Sequence, residues 1–328
     1  MNKILTISVA AYNVEKFLEN TLKSLADSRY VDKLEVFVVD DGGKDRSLEI
    51  AKHYEEQFPQ TFHAIHKENG GYGSTVNYSI AHATGKYFKL LDGDDWMNCN
   101  GMDYILRRLE RCEEDVIITD YYIGPSENEL KVIHTRNDDN SVIRVKDYET
   151  AFPHGMWSLF YKTDMLKRSN LVLPEHMLYT DQVYSTIPFS IAETIRFINT
   201  PVYCYRYGRA EQSTSLPSRL KHADEMLKLC SDLMTFYESH SGDNNKYLFS
   251  RIARYNIVAI RTLLLFPINN NNLKRVKEYE KQIKEQYPEF YYSAENKSGM
   301  GKLIKMLRKT KYLAYWGIKF IPESVLNR

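Results

Sequence analysis

The chain has 328 residues, 43% hydrophobic and 27% charged, which is globular usage and enough for one large α/β domain with an appendage, or for two domains. Its 44 Lys and Arg against 43 Asp and Glu leave a net charge of +1, so no global field points to nucleic acid. Four cysteines, Cys99, Cys112, Cys204 and Cys230, form no CxxC pair and no zinc or disulfide framework, which fits a reducing cytoplasm. The first residues, MNKILTISVAAYN, read as a strand rather than a signal peptide, and no apolar run reaches the roughly 18 residues of a spanning helix. A soluble, cytoplasmic chain is expected.

In chain order, KILTISVA (3–10) is a β-branched apolar run, followed by Val14, Phe17, Leu18, Thr21, Leu22 and Leu25 at helical spacing with Asn13 as the expected N-cap. LEVFVVDD (34–41) is a buried strand with a helix behind it marked by Leu48, Ala51, Tyr54 and Phe58. TFHAIH (61–66) is a third strand, and NGGYGS opens a helix over 74–84. KYFKLLDGDD (86–95) and DVIITDYY (115–122) complete the set. Strands separated by 10–15-residue helices predict right-handed βαβ crossovers and a mostly parallel open sheet with helices on both faces. Prolines at 125, 153, 174, 188 and 201 break residues 123–215 into short pieces. From 216 the pattern turns helical. Leu220, Ala223, Leu227, Cys230, Met234 and Tyr237 form one core stripe, 246–266 and 272–286 read as helices, and INNNN (268–272) as a plain break. The expected division is a catalytic domain over 1–215 and a helical region over 216–328 with a basic amphipathic end, 300–321.

The polar chemistry falls where an open α/β sheet binds ligands, beyond the carboxyl ends of its strands. Ala11–Asn13 follow the first strand, Asp40 and Asp41 end the second, and Asp92, Asp94 and Asp95 end the fourth. Carboxylates crowded at a strand end repel one another, and a hard divalent cation bridging to a phosphate relieves the repulsion. An acidic turn in solvent has the same pattern. An EF-hand is excluded, because loop position six is Met97 and position twelve Asp103. The Asp40–Asp41 pair suits a nucleobase N–H or ribose hydroxyl, or equally a turn and helix cap. ENGGYGST (68–75) is neither a dinucleotide fingerprint nor a Walker loop, and a turn explains it as well as a phosphate cradle. No HExxH and no GxSxG occurs.

Together the segments resemble the family-2 inverting glycosyltransferases of the bacterial cell-surface polysaccharide type, with the glycosyltransferase-A fold. The likeness runs from about Lys3 to about Ser215. TISVAAYNVEKFLENTLKSL is similar to the family's opening strand, Tyr-Asn turn and first helix, and VVDDGGKDRS to its Val-Asp-Asp-Gly-Ser segment. NGGYGSTVNYSIAHATGKYFKLLDGDD is similar to its Asn-Gly segment running into the metal-binding Asp-x-Asp, and LPEHMLYTDQVYSTIPF to the segment carrying the catalytic base. The resemblance implies a nucleotide site built by Ala11, Tyr12, Asp40, Asp41, Asn69 and Gly70, with Tyr12 against the base and Asp41 accepting its N3–H. It implies Mn2+ or Mg2+ at Asp92, Asp94 and Asp95, Asp92 also facing the ribose. Asp181 is implied as general base, a helix-start acid being its plain alternative. Arg206 and Arg209 are candidates for the pyrophosphate or, as plainly, two solvated loop arginines. Departures are Ala10 for the usual proline, Gly43 for serine, Val76 where an arginine often stands, and Thr180 where the family often has Glu.

The implied reaction is a single displacement at the anomeric carbon of a nucleotide-diphospho-sugar, with uridine diphosphate the default carrier. The implied acceptor is a hydroxyl of a glycan or lipid-linked molecule, in capsule, exopolysaccharide or teichoic-acid synthesis. A nucleotidyltransferase is the first alternative, although AAYNVEK lacks its basic glycine loop. A catalytically silent nucleotide-sugar-binding subunit is the second. Segment 300–321 carries Lys302, Lys305, Arg308, Lys309, Lys311 and Lys319 without an acid, among bulky apolar residues. It suits either a helix lying on an anionic membrane surface, peripheral on the inner face of the plasma membrane, or a terminal helix packed on the protein.

Overall fold

A computed structural model describes residues 2–136, 138–150, 154–208, 212–240, 245–296 and 299–321. The chain forms two compact units, one of Met1–Tyr148 with His154–Arg209, the other of Glu149–Pro153 with Ala210–Arg328.

The first unit begins β1 (Leu5–Ala11), α1 (Glu15–Ala26), β2 (Leu34–Asp40), α2 (Ser47–Gln57), β3 (Phe62–His66), α3 (Tyr72–His82) and β4 (Tyr87–Asp92). These strands lie in the order β3-β2-β1-β4, all parallel. Every residue of β2 is buried, as a continuous apolar run flanked on both faces requires. The carboxylate inside the strand, Glu35, accepts from Thr6 Oγ1 and from the amide and hydroxyl of Thr84, so burial leaves it satisfied. Because Ala11 pairs with Asp40 and Ala10 with Asp92, three strand ends meet side by side.

Asn13 does not cap α1. It sits at φ +55°, and its Oδ1 accepts the Lys44 amide, while the Glu15 amide at the start of the helix donates to Asp45 Oδ2. The cap comes from the neighbouring loop, so α1 and the loop after β2 are locked together.

The unit continues with β5 (Trp96–Met97), α4 (Cys99–Leu109), β6 (Val116–Gly124), β7 (Lys131–Ile133), β8 (Val142–Arg144), β9 (Leu159–Lys162), α5 (Thr163–Arg168), α6 (Asp181–Tyr184) and β10 (Thr194–Arg206). Here the sheet becomes mixed: β9 runs antiparallel between β4 and β6, and β10 lies parallel to β6. Pro201 does not end a segment as its type suggests. β10 runs through it, and the register against β6 shifts on both sides of Pro201, a bulge that spares the missing N–H.

The second unit is helical: α7 (Leu216–Lys221), α8 (Ala223–Ser239), α9 (Asn245–Leu264), α10 (Asn270–Gln286), α11 (Pro288–Ser293), α12 (Gly299–Lys309) and a 3-10 segment, Leu313–Phe320. The buried stripe of α8 is Ala223, Met226, Leu229, Cys230, Leu233 and Met234. Leu227 is only half-buried and Leu220 belongs to α7, because the chain breaks helix at His222. The asparagine run is more than a break. Asn269 caps α10 by accepting the Asn272 amide, and the buried Asn272 donates to Leu263 O at 2.8 Å and to Tyr315 Oη at 2.9 Å. Arg308 leaves the expected basic surface altogether. Its side chain is 5% exposed, paired with Glu280 at 2.6 Å and stacked 3.6 Å over Tyr291. Among the described residues no helix is long and apolar enough to cross a membrane.

Candidate functional site at the sheet edge

The loops after β1, β2 and β4 gather the predicted residues at one edge. Ala11 is buried at the end of β1, and the next residue, Tyr12, is 53% exposed. Asp40 is buried; its Oδ1 accepts the Gly43 amide and its Oδ2 pairs with His66 Nδ1 at 2.6 Å. Asp41, also buried, organises the loop beyond β3. Its Oδ1 accepts Lys67 Nζ at 2.7 Å, the Gly70 amide at 2.9 Å and Ser74 Oγ at 3.2 Å, and its Oδ2 the Gly71 amide at 2.8 Å. Asn69 Nδ2 donates back to Asp41 O. Asp41, Asn69 and Gly70 are thus one hydrogen-bonded body, and Lys67 is a member that the motif did not single out.

Carboxylate oxygens of Asp92, Asp94 and Asp95 lie within 4.8 Å of one another. The turn that holds them is pinned by α1, where Thr21 Oγ1 donates to Gly93 O at 3.0 Å and Asp95 O at 2.6 Å. Asp95 is 1% exposed. Burial, and then the nearby charge of Asp92, push its pKa well above the usual carboxylate range. Against that pull stand Tyr203 Oη, donating to Asp95 Oδ2 at 2.6 Å, and the Arg206 amide, donating to Oδ1 at 2.8 Å. Three hard oxygen donors, one of them buried and electrostatically strained, suit a divalent cation.

Arg206 is no solvated loop residue. It ends β10, donates through Nε to Asp94 O at 3.1 Å, and lies 4.6 Å from the Trp96 ring centroid. Arg209 lies outside the described residues. Asp181 opens α6, with Gln182 Nε2 donating to its Oδ2 at 2.8 Å. Tyr72, which sequence reasoning passed over, lies within electrostatic reach of both this acid and Asp92. Burial of its hydroxyl, and next the charges of Asp92 and Asp181, raise its pKa well above the ordinary phenol value. Its only sequence signal is its place after two glycines at the start of α3. Tyr203 was likewise missed, although the alternation VYCYR puts it on one strand face with Tyr205.

The loop 173–181 is clamped to the glycine loop: His176 N donates to Gly70 O at 2.7 Å, and Asn77 exchanges hydrogen bonds with Leu173. Gly73 is required there, since a Cβ would stand 2.1 Å from Pro174 O.

Residues 6–171, just over half of the chain, match the family "Glycosyl transferase family 2", and the chain belongs to that family of transferases. It is 27% identical over 238 residues to an uncharacterized glycosyltransferase of Mycoplasma pneumoniae, covering 70% of this chain and 77% of that one. Its fold is similar to Staphylococcus aureus TarS 1–349 in complex with UDP-GlcNAc, with TM-score 0.62 and 16% identity over 94% of this chain and 92% of that one. It is also similar to the Pyrobaculum calidifontis mannosyltransferase PcManGT in complex with GDP-Man and Mn2+, with TM-score 0.54 and 15% identity over 97% and 83%.

Gly73→Ala is expected to force the two loops apart, costing about 1–3 kcal/mol of stability as an overpacked contact and cutting transferase activity more than the stability loss explains. Denaturant unfolding beside steady-state rates checks this; a variant of full activity would show that the clamp is dispensable.

Proposed function

We propose that this protein moves a sugar, with inversion, from a nucleotide-diphospho-sugar to a hydroxyl of a glycan or lipid-linked acceptor. The observation that carries this reading is that one edge gathers the acid cluster and the Asp41 loop, with the buried Tyr72 hydroxyl near enough to both Asp92 and Asp181 for their charges to act on it. Uridine diphosphate is the proposed carrier, in line with the UDP-GlcNAc held by TarS. The exposed Tyr12 offers a ring face to the base. Asp41 Oδ2 takes the Gly71 amide, and a carboxylate oxygen has two lone pairs, which leaves acceptor capacity for the N3–H of uracil. Asn69 and Gly70 shape the rim of that nucleotide site and Arg206 stands beside the acids, close to where a diphosphate charge would develop. Asp92, Asp94 and Asp95 are the proposed holders of Mn2+ or Mg2+, which would supply Lewis-acid stabilisation of the departing diphosphate.

Asp181 is the proposed general base, taking the proton of the acceptor hydroxyl as that oxygen attacks the anomeric carbon. Gln182 fixes one carboxylate oxygen and so sets the direction of the other. The resemblance to enzymes of cell-surface polysaccharide synthesis supports a glycan or lipid-linked acceptor. It also supports a catalytic domain ending near residue 215.

Chelation with EDTA is expected to abolish nucleoside-diphosphate release, and added Mn2+ or Mg2+ to restore it; Asp94→Asn should behave like the chelated enzyme. Full turnover in chelator contradicts the metal assignment. Asp181→Asn is expected to lower kcat by roughly 10²–10⁴ while UDP binding survives. Loss of UDP binding in the folded variant would move Asp181 into the nucleotide site.

The proposal extends to an anionic membrane surface, on the inner face of the plasma membrane. In segment 300–321 Lys302, Lys305, Lys309, Lys311 and Lys319 are exposed, together with Met306, Leu313, Trp316 and Phe320. Leu313 and Phe320 are 78% and 79% exposed, a cost in water that a lipid interface removes. Each lysine near an anionic surface contributes about 1 kcal/mol. The protein is expected to co-sediment with phosphatidylglycerol vesicles at low salt, and Trp316→Ser with Phe320→Ser to release it. Equal, salt-insensitive recovery of both forms in the supernatant would exclude this docking.

A further inference from the structure

Beyond the acid cluster the same edge carries three half-exposed aromatic rings. Trp157, in the 3-10 turn Met156–Ser158, has its ring centroid 4.8 Å from that of Tyr205 on β10 and 5.6 Å from that of Tyr121 on β6. The register supports a common face: Tyr121 pairs with Tyr203, and Tyr203 and Tyr205 are two residues apart on one strand. The indole lies against the backbone of Gly155. A Cβ on Gly155 would stand 2.4 Å from its ring, so only glycine lets the backbone lie against it. Beneath the turn, the fully buried Lys89 donates to Trp157 O at 2.7 Å and to Met156 O and Leu159 O, and its ammonium lies 5.2 Å from the Tyr203 centroid.

These rings border the reacting groups. Tyr205 stands between Tyr203, whose hydroxyl holds Asp95, and Arg206, whose amide does the same. Met156 Sδ accepts from Tyr72, the residue beside Asp92 and Asp181. Strand order separates them from the proposed base-binding end. Tyr12 and Asp41 follow β1 and β2, the acids follow β4, Trp157 immediately precedes β9, and Tyr121 and Tyr205 lie on β6 and β10 beyond it. A nucleobase at Tyr12 therefore leaves the rings for another occupant.

From this geometry we infer that Trp157, Tyr205 and Tyr121 form an acceptor subsite, a stacking platform for one pyranose ring of a glycan. A pyranose presents a face of C–H groups rimmed by hydroxyls. Laid on a fixed aromatic face, it buries apolar surface while its hydroxyls stay hydrogen-bonded, and one of them is directed toward Asp181. This inference rests on the transferase reading above for its occupant.

The test uses the full chain with three probes: methyl β-glucopyranoside, methyl β-galactopyranoside and the methyl glycoside of N-acetylglucosamine. Saturation-transfer NMR should detect at least one of them bound, with the protons of one ring face most strongly saturated. Trp157→Ala should weaken that binding at least 10-fold and Trp157→Phe should recover most of it, while calorimetry finds UDP binding unchanged. Tyr205→Leu and Tyr121→Leu serve if Trp157→Ala misfolds, each weakening glycoside binding several-fold. Binding of no probe by a protein that binds UDP, or equal binding by wild type and the folded variants, overturns the platform. Loss of UDP binding in Trp157→Ala also overturns it, by giving the rings to the donor. A wild type that binds a glycoside through these rings but not UDP would refute the transferase reading and leave the platform standing.

Discussion

The structure is organised around carboxylates that do not want to be together. Oxygens of Asp92, Asp94 and Asp95 within 4.8 Å, one of the three acids buried, repel by about 4 kcal/mol per fully charged pair at 4 Å and an effective dielectric constant near 20. The counterweights, Tyr203 and Arg206, come from more than a hundred residues along the chain, at the far end of β10. That strand must keep its path through Pro201 to deliver them, and the bulge there is how it does so. The sheet beyond β4 can be understood as the frame that carries β10 to the acids.

The proposed nucleotide end is the opposite case. Asp41 receives four donors from within its own unit, and Asp40 is held by Gly43 and His66, so these acids are already compensated and their loops preformed. The loop leading to Asp181 differs again. His176 and Tyr179 sit at φ +51° and +63°, in the left-handed region that costs a side-chain-bearing residue energy. Clamping to Gly70 and Asn77 holds that conformation. The chain thus couples the proposed nucleotide loop to the segment of the proposed base through the His176–Gly70 backbone hydrogen bond and the side chain of Asn77.

The first half of the sheet was legible because its strands are continuous apolar runs between regular helices, and the acids at their ends follow from that placement alone. What was not legible depended on tertiary partners. Asn13 has the right type and position for a cap, yet Asp45 on another loop outcompetes it. Pro201 looks like a terminator until a bulge accommodates it. Arg308 sits in a run of lysines that faces water, and only its place opposite Glu280 and Tyr291 turns it inward. The glycines before Tyr72 and the alternation around Tyr203 give their local setting but not their partners. Their roles arise because α3 and β10 bring phenols to acids that are distant in sequence.

Strand order also sorts the kinds of interaction. At β1 and β2 the contacts on offer are backbone amides and carboxylates, fixed by loop geometry and hard to alter one residue at a time. From β9 outward they are the rings of Trp157, just before β9, Tyr121 on β6 and Tyr205 on β10, each replaceable without touching the Asp41 network. Between them stand the acids, common to whatever is bound on either side. With the proposed donor and acceptor sites placed so, such a fold can hold its donor chemistry constant while side-chain changes on the later strands alter what receives the sugar. The antiparallel insertion of β9 contributes to this, because it lies between β4 and β6 and sets Tyr121 and Tyr205 apart from the strands that carry the proposed nucleotide loops.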